Sequence, residues 1–301
     1  MIVRNESEAV YHARPEISQS MLKWVLRSPV HFHARFDRAE ADRIKDETTE
    51  AMLLGKAAHA FALEPDRAAA LFVAAPDVDR RTKDGRAKYA DAMAAAAVAG
   101  ASLLTAEQNA AARAIAHSVW SHPVARRLLG YDVETELTVL WTDAPTGLPC
   151  RCRVDRAAQS RRIVMDLKTT NDASAHAFVR AIKDRAYHMQ AAYYLDGLAA
   201  SGDPAFVGAS DWSWVWLAVE TSPPYAVGVY IADDAWILRG RMLYRRALDT
   251  VVGLRANPPE DGWPHYTPND APAVLDAPAW AIADEYLLQE LHAPGRIVGP
   301  F

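Results

Sequence analysis

Apolar and polar positions change period several times along this chain, and each change marks an element. From Ile17 onward, Met21, Leu22, Val25 and Leu26 recur at helical spacing behind Ser18, a residue type suited to cap a helix. Pro29 breaks that run and fits the first turn of a second helix, where a missing N–H costs nothing. His31 and His33 on that helix are expected to pack rather than to ligate. Residues 38–50 are charged and polar and read as a loop. Residues 48–67 predict a helix whose packing face is Ala51, Met52, Gly55, Ala58, Ala62 and Leu63. Gly55 inside it costs about 1 kcal/mol relative to Ala, so close packing is its expected reason. His59 follows one turn later on the same stripe.

Residues 71–89 begin as a short strand and run into a basic loop containing Gly85, before an Ala-rich helix over 86–101. Thr105, with Gln108 three residues on, has the form of a capping box for the next helix, which Pro123 ends. The period then falls to two. Val133, Thr135, Leu137, Val139 and Trp141 are expected on one face of a strand, with Glu134, Glu136 and Thr138 on the other. A Pro- and Gly-containing turn follows. Two further alternating runs, CRCRVD at 150–155 and IVMDLK at 163–168, are joined by an Arg-rich turn. Three successive antiparallel strands are the expectation. Two helices, the first capped by Asp172 or Ser174, then a strand, a Pro-Pro turn, a second strand and a helix over 234–255 complete the pattern. The tail carries Trp263, Tyr266, Trp280 and Tyr286 and is expected to wrap the domain or meet a neighbouring subunit. The organisation expected is one domain over 1–301, with a helical part at 1–130, a core at 131–255 and a tail at 256–301.

Composition narrows the class. The chain has 301 residues, 50% hydrophobic and 24% charged, as an ordinary globular protein has. No apolar run is long enough to span a bilayer, and the first residues lack the layout of a signal peptide. Cys150 and Cys152 are the only cysteines, too close for an ordinary disulfide and too few for a structural zinc site. A cytoplasmic setting, with no membrane association, is the expectation. The net charge of −5 argues against indiscriminate nucleic-acid binding, though not against a local basic groove. Basic clusters stand at Arg80, Arg81, Lys83, Arg86 and Lys88, and at Arg151, Arg153, Arg156, Arg161 and Arg162.

The chemistry concentrates in the hairpin at 150–170. Asp166 and Lys168 share a face, and Asp155 can join them if the two runs pair. Paired carboxylates bind a hard divalent cation such as Mg²⁺, which makes a bound water more acidic and neutralises charge on a phosphate. Lysine can orient that water or hold a phosphate oxygen. Alone, an Asp-x-Lys is more often a solvated surface pair. Glu136 is placed either near the cluster, as a further ligand, or on an exposed strand face. Gln190 and Tyr194, one helical turn apart, can both hydrogen-bond a phosphate or sugar; the alternative is an amphipathic helix with polar tips.

Taken together, the stretches ISQSMLKWVLRSPVHFHARF, AMLLGKAAHAFALEP, DRRTKDG, TGLPCRCRVD, IVMDLKTT and YHMQAAYYLDGL, in that order, resemble the PD-(D/E)xK nuclease superfamily, and within it the RecE type of exonuclease, exodeoxyribonuclease VIII and its phage relatives. The resemblance runs from about Ile17 to Trp280. It implies an α/β fold, a central mixed β-sheet flanked by helices. It implies that His59 is a metal ligand or positions water, that Asp155 and Asp166 are the motif acids, that Lys168 is the motif lysine, and that Glu136 is a less secure ligand. Gln190 and Tyr194 would contact DNA or support the site, and Arg80, Arg81, Lys83, Arg151, Arg153 and Arg156 would grip phosphates. It further implies Mg²⁺ (with Mn²⁺ as a substitute), 5′ to 3′ digestion from double-stranded DNA ends, 3′ single-stranded tails for a single-strand annealing protein, and a ring-shaped homo-oligomer such as a tetramer, serving recombination. Val154 stands where the motif has proline, and the second acid is Asp rather than the commoner Glu. The rival readings are a RecB-like endonuclease or repair nuclease of the same superfamily, and a DNA-binding module without catalysis.

Overall fold

The structure, a computed structural model, describes residues 1–44, 49–131, 133–267, 272–276 and 278. Its strands are β1 (Ile2–Val3), β2 (Ile17–Ser18), β3 (Phe72–Ala74), β4 (Ser102–Leu104), β5 (Glu134–Thr142), β6 (Pro149–Ala158), β7 (Ile163–Thr170), β8 (Ser213–Glu220) and β9 (Val227–Ile231). Its helices are α1 (Glu8–Ala13), α2 (Gln19–Arg27), α3 (Pro29–Phe32), α4 (Glu50–Leu63), α5 (Pro65–Leu71), α6 (Lys83–Val98), α7 (Ala106–Ser121), α8 (Pro123–Leu129), α9 (Ala175–Asp184), α10 (Tyr187–Ala200) and α11 (Asp234–Ala256).

A mixed sheet in the order β1-β5-β6-β7-β8-β9 forms the centre, with β2 added beside β6. The β5–β6–β7 meander is antiparallel, as its turns demand; β7 and β8 are parallel, because α9 and α10 intervene. Two apolar cores cover the two faces. Leu22, Cys152, Val164, Tyr193, Trp214 and Leu248 belong to one, under α2, α10 and α11. Ala58, Phe61, Ile115, Met165, Leu167 and Val215 belong to the other, under α4, α7 and α8. The expected α/β class, a mixed sheet between helices, is what forms. The first residues enter the same sheet, since β1 pairs with β5 and β2 with β6.

The predicted caps hold: Ser18, Thr105 and Ser174 accept from Met21, Gln108 and Ala177 N–H. Ser174, rather than Asp172, starts α9. Three expectations are corrected. The Ala-rich helix begins at Lys83, because Thr82 caps the N–H of Gly85; a Cβ there would lie 2.0 Å from the Asp79 carbonyl. On α4, Ala51 and Met52 are exposed, and packing on the second core begins with Leu53 and Leu54. The third is in β5. Leu137 and Val139 pack into the first core and Val133 against the second, so strict alternation fails between them. The break is Glu136, whose φ is +52°. The ladder has Thr135 opposite Arg156 and Leu137 opposite Val154, with no pair between. On β6 the phase changes at the same level, since Val154 and Ala157, three residues apart, face one core.

The start of the tail lies against the segment that follows α2. Trp263 stacks on His33, with ring centroids 4.7 Å apart, and the Arg27 guanidinium donates to the Tyr266 hydroxyl at 2.8 Å. Trp280 and Tyr286 lie outside the described residues.

Candidate active site

The phase change places the site. Beyond Arg156, β6 and β7 stop pairing. On the vacated edge the Asp155 carboxylate accepts the Leu167 N–H at 3.0 Å, so a side chain replaces the ladder bond. Leu167 lies between Asp166 and Lys168, and this bond fixes where both stand relative to Asp155.

One half of the site faces α4. His59 Nε2 is 2.8 Å from Asp155 Oδ2, and its Nδ1 is 3.5 Å from Glu136 Oε1. His59, Glu136 and Asp155 each offer a ligand atom within 4.8 Å of the others. Gly55 allows this approach: a Cβ there would meet Thr169 Oγ1 of β7 at 3.2 Å. Glu136 also takes an ion pair from Arg153, whose guanidinium bonds the Glu6 carbonyl as well. Burial alone would depress the His59 pKa, but the Asp155 and Glu136 carboxylates hold it at about 9. Burial raises that of Glu136; that of Asp155 falls, His59 outweighing the burial that opposes it.

The other half faces α10. Asp166 is 1% exposed and accepts from Lys168 Nζ at 2.8 Å and Gln190 Nε2 at 2.7 Å, both at Oδ1. Burial lifts its pKa to about 6 against the pull of Lys168. Lys168 lies 4.8 Å from the centroid of the Tyr187 ring; burial would lower its pKa, but Asp166 keeps the ammonium charged. The two halves open into a cavity of about 950 Å³ lined by His59, Glu136, Asp155 and Lys168.

Asp166 lies outside the His–Glu–Asp group; its Oδ1 accepts from Lys168 and Gln190, and its Oδ2 is 2.7 Å from Lys168 Nζ. Gln190 supports the site from a buried position. Tyr194 packs edge-on against Trp214, with centroids 5.8 Å apart, and belongs to the core. The arginines divide. Arg151 and Arg156 are buried, Arg151 on the Arg14 carbonyl and Arg156 on the Leu63 and Leu129 carbonyls, so neither presents its charge to a surface, contrary to the expectation for phosphate contacts. Arg153 lines the cavity but is held by Glu136. Arg80, Arg81 and Lys83 are exposed at the start of α6 and do not line it. Sequence reasoning missed Tyr187, Lys23 and Arg185, which stand around Lys168. Buried-looking aromatics and scattered cations carry no local signal for such a place.

The donor set of the first half, one imidazole and two carboxylates, fits a divalent cation. This combination of a mixed sheet, a splayed β6–β7 edge and an acid–lysine pair on β7 defines the PD-(D/E)xK class of fold. Residues 18–266 match the family described as a PDDEXK-like domain of unknown function (DUF3799), and the chain belongs to that family. A crystal structure titled "Putative exonuclease" from Eubacterium rectale is similar in fold, with TM-score 0.60 and 11% identity, over 97% of this chain and 100% of that one. The structure of SSO0001 shares 14% identity over 62% of this chain and 77% of that one, at a TM-score of 0.26 too low to place any element. No curated protein matches the chain.

Proposed function

We propose that this protein is a metal-dependent deoxyribonuclease that degrades linear double-stranded DNA from its ends, 5′ to 3′, leaving 3′ single-stranded tails. The observation that carries the reading is the His59–Glu136–Asp155 group set across the Leu167 backbone from the Asp166–Lys168 pair, in one open cavity. His59, Glu136 and Asp155 would hold Mg²⁺ or Mn²⁺, with Asp166 at its edge. Such an ion, when bound, supplies Lewis-acid polarisation of a phosphate and a more acidic water. Lys168, kept charged by Asp166, donates hydrogen bonds to a water or to a non-bridging phosphate oxygen and so fixes the line of attack. Gln190 holds Asp166, and through it Lys168, in position. Tyr187 closes one side of the ammonium and limits its rotation.

The test is digestion of linear duplex labelled at either end, beside a closed circular duplex, with and without Mg²⁺ or Mn²⁺. The expected result is metal-dependent loss of the 5′ label from linear DNA with circles untouched. Cutting of circles would assign a RecB-like endonuclease instead, and no cutting with any divalent metal would overturn the reading. Asp155→Ala and Lys168→Ala are each expected to lower the rate at least a hundredfold with the circular-dichroism spectrum unchanged.

A further inference from the structure

The α4 half of the site pairs its charges: Arg153 with Glu136, and His59 with Asp155. The α10 half pairs Lys168 with Asp166 and adds two further cations. Beside Lys168 the cavity is lined by Arg185, an exposed residue at the α9–α10 turn whose side chain has no hydrogen-bond or ion-pair partner among the described residues. A second cation comes from α2. Gln19 Nε2 donates to the Ala186 carbonyl at 3.3 Å and ties α2 to that same turn. Lys23 lies one helical turn beyond Gln19 and so projects from the face that meets it. It too has no ion-pair partner among the described residues, and the charges that act on it are those of Lys168, Asp166 and Arg185. Burial and then Lys168 lower its pKa to about 8, as crowding of like charges demands.

The turn itself is unusual. Ala186 has φ +54°, a left-handed conformation that an alanine adopts only when its surroundings impose it. It ends α9 and starts α10 with no side-chain cap, holding Arg185 at the cavity rim directly before Tyr187. Lys23 and Arg185 thus stand beside Lys168, whose charge Asp166 and Asp155 already offset. A half-buried ammonium with no ion-pair partner among the described residues is costly unless an anion joins it.

We propose that Lys23 and Arg185 form a phosphate-binding subsite beside the reaction centre, which takes a phosphate of the substrate strand next to the one being cut. The inference rests on the reading of the substrate as DNA. The same anion can come from a terminal 5′-phosphate or from an internal phosphodiester, and the assay separates them. Arg185 supplies a two-pronged donor that matches a phosphate, and Lys23 a point charge behind it.

The experiment is binding of the full-length protein to a fluorescent duplex oligonucleotide, in Ca²⁺, over a range of salt, with either a 5′-phosphate or a 5′-hydroxyl end. Arg185→Ala and Lys23→Ala are each expected to weaken binding about tenfold and to reduce the salt slope by about one. Arg185→Lys should recover most of the loss. Lys23→Met, which keeps the stem's volume without the charge, should behave as Lys23→Ala, so that a packing defect is not mistaken for a lost contact. In Mg²⁺ cleavage assays KM should rise more than kcat falls. A loss confined to 5′-phosphorylated duplex assigns the terminal phosphate, and an equal loss on both assigns the internal one. Unchanged affinity and salt slope in the alanine variants overturn the subsite, as does wild-type protein that binds no duplex. If wild type cleaves while the variants bind normally, the subsite falls and the nuclease reading stands. If the variants bind weakly but wild type cleaves nothing, the subsite stands and the nuclease reading falls.

Discussion

His59 shows how a residue's neighbours set its chemistry. Its imidazole, raised to about 9 by Asp155 and Glu136, carries a proton at neutral pH. A metal ion needs the neutral ring, so binding must release that proton. The sign follows: below about pH 9 the proton competes, and apparent affinity should fall up to tenfold for each unit of pH lost. Calorimetric titration with Mn²⁺ between pH 6.5 and 9, in buffers of different ionisation heat, should show affinity rising with pH and proton release on binding. A flat profile would remove His59 from the ligand set. Asp166 is the opposite case, a buried carboxylate raised to about 6. Its native form binds more protons than the unfolded chain between about pH 4 and 6, so its charge is a cost to stability that grows through that window and stays above it. Asp166→Asn keeps an acceptor for Lys168 and Gln190 and removes the charge. It should leave the melting temperature at pH 7.5 equal or higher, while cleavage falls at least a hundredfold.

At the scale of elements, the site exists because two strands change phase together. Glu136 at φ +52° and Asp155 opposite it leave the ladder, and the free edge is taken by the Asp155–Leu167 bond. Hydrophobic alternation could not reveal this. It reports the average period of a strand, and one residue of positive φ shifts the phase without changing the letters. Three helix starts, by contrast, were legible at the cap, because Ser18, Thr105 and Ser174 act through bonds three residues away, while α1 and the break of 48–67 at Pro65 were not. Close approaches were half legible. Gly55 signalled packing, but only the fold shows that the partner is Thr169 of β7. Gly55→Val should push α4 outward, lower cleavage and weaken Mn²⁺ binding with a smaller effect on melting. Gly240 lies where α11 crosses α10; a Cβ would fall 2.0 Å from the His188 carbonyl, backbone that cannot move aside. Gly240→Ala should therefore destabilise by more than about 1–3 kcal/mol, the usual range for overpacking, as read by urea unfolding.

At the scale of the molecule, the two cores hold the sheet between unlike layers, and the acid–lysine pair and the His–Glu–Asp group are supplied from opposite sides. Arg156 ties one of these layers to the sheet. Its guanidinium, under β6, donates to the last residues of α4 and α8 through the Leu63 and Leu129 carbonyls. Arg156→Ala strands both acceptors and should cost roughly 2–4 kcal/mol in urea unfolding, with the salt slope of DNA binding unchanged. A reduced slope would return Arg156 to the DNA-contacting role its place in an arginine cluster suggested. Among the described residues no helix is long and apolar enough to cross a membrane.

The sequence by itself determined the period of most elements, the caps at Ser18, Thr105 and Ser174, the β5–β6–β7 meander and the types of residue needed for metal and phosphate chemistry. These depend on neighbours within a few positions, where side-chain spacing and backbone geometry are directly coupled. Only the tertiary structure decided which charges meet. His59 reaches Asp155 because α4 packs on one face of the sheet. Gln190 reaches Asp166 because α10 packs on the other. Arg156 is spent on backbone carbonyls, while the side chain of Arg185 lines the cavity with no partner among the described residues. A charged letter records the side chain's chemistry, but its work depends on burial and partners, which are fixed by contacts between segments far apart in the chain.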